Sequence, residues 1–72
     1  GAREEGVRLL RLAALAGDGK AAYQVGVLSL AGTPSQAPDP EEAARFWAIA
    51  AKAGHPLAQI KLQALASRDD AQ

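Results

Sequence analysis

Shifting the 72-residue chain against itself by 37 residues brings its two halves into register without a gap. Glu4-Glu5 falls on Glu41-Glu42, Arg8 on Arg45, Ala13-Ala14 on Ala50-Ala51, Ala16-Gly17 on Ala53-Gly54, Ala21 on Ala58 and Leu28 on Leu65. Chemically similar pairs fill the spaces between: Leu9-Leu10 with Phe46-Trp47, Tyr23 with Ile60, Val25 with Leu62. A period in this range with two helices per unit points to a helical solenoid. In such a fold each pair buries its apolar face by stacking on its neighbours.

Local chemistry places the helices inside that repeat. Alanine is abundant and β-branched residues are few, which favours helix over strand because Ala loses no side-chain entropy on entering a helix. The first helix is expected over about 3–16. Val7, Leu10 and Ala14 form its apolar face, with Leu9 and Ala13 beside it, and Glu4, Arg8 and Arg11 lie opposite. Gly17 stops it and Asp18 caps a second helix over 19–31, which Gly32 ends. Two prolines within Thr33 to Pro38 make that stretch a loop. Asp39 at the N-cap, Pro40 at N1 and Glu42 at N3 read as a capping box opening a third helix, 40–53, which stops at Gly54. His55-Pro56 opens the fourth, 56–67, with a fraying polar tail from Arg68 to Gln72.

Composition narrows the function classes. Eight basic side chains balance eight acidic ones, so the electrostatic footprint of a nucleic-acid binder is missing. No apolar run approaches the roughly 20 residues that span a bilayer. Cysteine is absent, which removes disulfides and thiolate metal sites. The chain opens on Gly1-Ala2 with neither Met nor a signal-peptide pattern, and it is expected to be a piece of something longer.

The run Ala22-Tyr23-Gln24-Val25-Gly26-Val27-Leu28, then Gly32, Asp39-Pro40-Glu41-Glu42-Ala43, Phe46-Trp47, Ala50-Ala51, Gly54-His55 and Ala58-Gln59, resembles a Sel-1-like repeat. This is a branch of the tetratricopeptide-type α/α repeats. The resemblance covers about residues 4 to 66, with one full repeat at about 21–57 flanked by half-repeats. The sequence departs from the family pattern at Thr33-Pro34, where a second glycine is usual, and at Ser29, where a tyrosine is usual. The fold class implied is all-α: a right-handed α/α solenoid of four antiparallel helices.

The second helix is apolar on nearly every side, so it must be covered on nearly every side. Ala22, Val25, Gly26 and Ser29 are small and suit close packing against a neighbour. Tyr23, Val27 and Leu30 form a second stripe. In related repeats the first helix of each pair lines a concave groove. The resemblance therefore implies a partner-binding surface made of Lys20, Tyr23, Val27 and Leu30 with Leu57, Ile60, Ala64 and Ser67 from the fourth helix. The competing reading is that curvature of the stack buries the stripe within the chain.

Catalytic and metal chemistry find little footing. His55 is the single histidine, and its setting between Gly54 and Pro56 suits a helix start. Ser29, Ser35 and Ser67 lie in no nucleophile elbow, and the glycines follow no strand that would make a phosphate loop. Glu41 and Glu42 point about 100° apart on a helix and do not face each other. Phe46-Trp47 would suit a stacking platform, but their repeat partners Leu9-Leu10 argue for core. The expectation is a protein-interaction or scaffold module with no enzyme activity, no cofactor and no metal. It would bind a protein or peptide, and neither nucleic acid nor membrane. The alternative is a self-associating or capping module of a longer array. The Ala- and Arg-rich makeup suggests a bacterial protein of cytoplasm or periplasm.

Overall fold

The computed structural model describes residues 2–34 and 36–70; Ser35 and the end of the expected tail, Ala71-Gln72, lie outside them. Four helices follow one another: α1 (Ala2–Leu15), α2 (Gly19–Ala31), α3 (Pro40–Lys52) and α4 (Pro56–Asp70). Each packs on the next, and α1 also touches α3. The helix starts agree with the sequence to within a residue. One end does not: α4 continues through Arg68 and Asp69 to Asp70, beyond the expected stop at Ser67. No glycine or proline follows Ser67 to break the ladder, so propagation carries on at little cost.

The 37-residue offset reappears in the backbone, bond for bond. At the α1–α2 bend, Gly17 N–H donates to Ala14 C=O at 3.0 Å and Asp18 N–H to Ala13 C=O at 3.0 Å. At the α3–α4 bend, Gly54 N–H donates to Ala51 C=O at 3.0 Å and His55 N–H to Ala50 C=O at 2.9 Å. Gly17 and Gly54 both take positive φ, 102° and 95°. This is the Schellman stop, which satisfies the last carbonyls of a helix and needs a residue without Cβ strain.

The core is small-residue packing around two aromatics. Ala14, Ala21, Ala22, Val25, Ala43, Phe46, Trp47, Ala50 and Ala58 form one buried cluster. Phe46 and Trp47 are thus core, as their repeat partners implied. Alanines let helices approach closely, and the closest approach is at Gly26, where an added Cβ would lie 2.3 Å from Trp47 Nε1. Trp47 fills that gap and donates its indole N–H to Tyr23 C=O at 3.1 Å. The helices α2 and α3 run antiparallel: Gly19 at the start of α2 lies against Ala53 beyond the end of α3, and Ser29 near the end of α2 meets Glu42 at the start of α3.

The capping box is only half made. Asp39 does accept from Glu42 N–H at 3.1 Å. Glu42, however, does not return to Asp39, whose N–H donates to Ser29 C=O at 2.7 Å. Its carboxylate turns into the interior instead. A backbone acceptor already serves Asp39, so Glu42 is released for tertiary contacts.

Candidate partner-binding surface

Glu42 is the polar centre of the molecule. Its carboxylate accepts from the Arg11 guanidinium on α1 and, through Oε2, from Ser29 Oγ on α2 at 3.0 Å. Three helices therefore meet at one carboxylate. The Arg11 hydrogen bond above all holds Glu42 below the ordinary glutamate range, assisted by the Ser29 hydrogen bond and by the charges of Arg11 and Arg45. Partial burial opposes that shift. Arg11 also lies over the Phe46 ring, 5.4 Å from its centroid, a cation–π arrangement that covers the ring edge of the core. This corrects the sequence assignment of Arg11 to the solvent face of α1. The arrangement is a structural clamp in which the two charged groups engage each other.

The expected groove residues divide between surface and core. Lys20, Leu57, Ile60 and Ala64 are exposed, and Val27 is 40% exposed; Ser67 is exposed as well. Tyr23 and Leu30 are only half-exposed and pack against the core cluster. The reason for Tyr23 is visible in its contacts. Its ring stacks on His55, with centroids 4.5 Å apart and planes 9° from parallel, and stands 6.5 Å from the Trp47 ring. His55 in turn caps α4, its Nδ1 accepting from Leu57 N–H at 3.2 Å. The Tyr23–His55 stack is therefore a bridge between α2 and the start of α4. Lys20 and Val27 lie on either side of Tyr23 along α2, and Leu57 and Ile60 follow His55 in the first turns of α4.

Two further surfaces had not been singled out from sequence. An open groove of about 1110 Å³ runs between α1 and the end of α2 with its loop, lined among others by Val7, Leu10, Arg11, Leu28 and Pro34. On α1, Leu9, Leu12 and Leu15 are each about three-fifths or more exposed, at 61%, 59% and 68%. The repeat register carried a signal for these leucines, since Leu9 and Leu12 stand where Phe46 and Ile49 pack inward on α3.

Among the described residues no group of three or more His, Asp or Glu side chains is placed to hold a metal ion. No described helix is long and apolar enough to cross a membrane. Comparison with known proteins gives no match to a family model, a curated protein or a solved structure.

Proposed function

We propose that the chain is a protein-interaction module built as an α/α solenoid of the Sel-1-like type, and that a partner segment binds along α2 and α4. The observation that carries this reading is the exposure of large apolar side chains on the two helices that the Tyr23–His55 stack ties together: Val27 on α2 with Leu57 and Ile60 on α4. Exposed apolar side chains on α2 and α4, with the exposed Lys20 and Lys61 on the same two helices, suit an amphipathic helix or extended peptide with apolar anchors and acidic neighbours. Tyr23 and Leu30 belong to the floor of this surface and not to its contact layer.

Peptide-display selection on the folded chain tests the reading, with counter-screening against a Val27→Asp/Ile60→Asp variant. Selected peptides should bind the parent and lose at least tenfold affinity for the variant, at unchanged helicity. Peptides that bind both equally would place the interaction elsewhere. A second reading, a self-associating or capping module of a longer array, draws on the exposed leucines of α1.

A further inference from the structure

We propose that the outer face of α1 docks a partner helix of α2's chemistry, while α4 closes the opposite end of the stack. This rests on reading the chain as stacked helix pairs, and the 37-residue offset supplies the template. On α3, Ala43, Phe46 and Ala50 are buried. Their counterparts on α1 are Gly6, Leu9 and Ala13. A Cβ on Gly6 would meet nothing within 4 Å, and Leu9 is 61% exposed where Phe46 is 6%. So α1 keeps small or apolar residues at the positions through which α3 joins the core. Ala13, like Leu10 at the position of Trp47, is half-buried against that core, while Gly6 and Leu9 are left in solvent.

The other end has the opposite chemistry. On α2, Ala22, Gly26 and Ser29 are buried against the core; Gly26 makes room for Trp47 and Ser29 holds Glu42. The counterparts on α4 are Gln59, Gln63 and Ala66, all exposed. Gln63 fills the position of the gap, and Ala66 has no hydroxyl to donate. Arg11, which binds the glutamate of the next unit, has Ala48 as its counterpart, also exposed. The Gly26 gap, the Ser29 hydroxyl and the Arg11 cation, three devices that link one unit to the next, are therefore missing at the α4 end. A polar outer face is what ends a repeat stack, and an apolar one is what continues it.

The occupant is defined by the interface it prolongs. A helix on α1 would need a small residue opposite Leu10, as Gly26 leaves room for Trp47. It would also need a hydroxyl or cationic side chain for Glu5, which stands where Glu42 does.

A graft tests this with the partner supplied covalently. A copy of Gly17–Asp39 placed directly before Arg3 puts an α2-like helix on α1 in the repeat register. The melting temperature should rise by about 10 °C or more, from burial of the leucine face. Leu9→Asp should abolish that gain, while moving the ungrafted 72-residue chain by no more than about 3 °C. A copy of Gly32–Ala53 joined after Arg68 should add nothing. An N-terminal graft without gain, a gain indifferent to Leu9→Asp, or an equal gain at the C-terminal end would overturn the assignment. Concentration-dependent dimerisation of the ungrafted chain, lost in Leu9→Asp, would give this face to a second copy and overturn it too. The peptide selection above reads α2 and α4 through different side chains, so the two proposals fail separately.

Discussion

The indole N–H of Trp47 reaches the main-chain oxygen of Tyr23 at 3.1 Å only because Gly26, one turn further along α2, has no side chain. An aromatic from one helix is thereby set into the backbone of another. The residue that permits it is the one that helix propensity would remove first.

Gly26→Ala should therefore destabilise the fold by about 2 kcal/mol, the usual cost of overpacking a close-packed interior. Propensity alone would give the opposite sign, a gain of about 0.5–1 kcal/mol. Urea unfolding followed by far-UV circular dichroism distinguishes the two, and a stabilised variant would mean that Trp47 does not occupy the gap.

Glu42 makes stability depend on acid. Its folded-state pKa lies below the ordinary value, so its contribution is complete above the unfolded-state pKa of about 4.3 and is lost as pH falls through the lower folded value. The parent should lose stability on acidification through that window, and Glu42→Gln should lose less. Equal slopes for the two chains between pH 5 and about pH 3 would show that the Arg11–Glu42–Ser29 cluster does not form.

Gly17 and Gly54 should respond alike. Each holds positive φ at the same point of the same bend, where an L-residue is strained by about 1–2 kcal/mol. Gly17→Ala and Gly54→Ala are expected to shift the unfolding midpoint in the same direction, since neither position has atoms within 4 Å to add a clash. Midpoints moving in opposite directions would contradict the equivalence of the two bends.

At His55 the cap and the ring stack can be separated. His55→Asn retains a side-chain acceptor for Leu57 N–H but loses the stack on Tyr23, and His55→Ala loses both. The alanine variant should be the less stable by about 1 kcal/mol, the usual worth of an N-cap acceptor. Thermal melts of the two variants check the order.

The helices were legible because their punctuation is local. Gly17, Gly32 and Gly54 stop them, Asp18 and Asp39 start them, and the offset between the halves ties the two bends together. Glu42 was misread for the same reason. Its spacing from Asp39 announces a capping box, but the competing partner, Arg11, stands 31 residues away and reaches it only when α1 lies beside α3. Tyr23 and Leu30 fell on the stripe with Val27 by helical spacing. Spacing alone does not say how far around α2 its neighbours reach, and they reach Tyr23 and Leu30 while leaving Val27 40% exposed. The Tyr23–His55 stack carried no signal, because neither residue has an aromatic counterpart in the other half.

The order in which the helices pack also sets how the molecule comes apart. Helix α2 is gripped on both sides, by α1 and by α3, whereas α4 packs chiefly on α3 and has glutamines toward solvent. Local opening should begin there. Amide protons in the second half of α4 would exchange from a frayed state long before those of α2, whose release requires the whole chain to unfold.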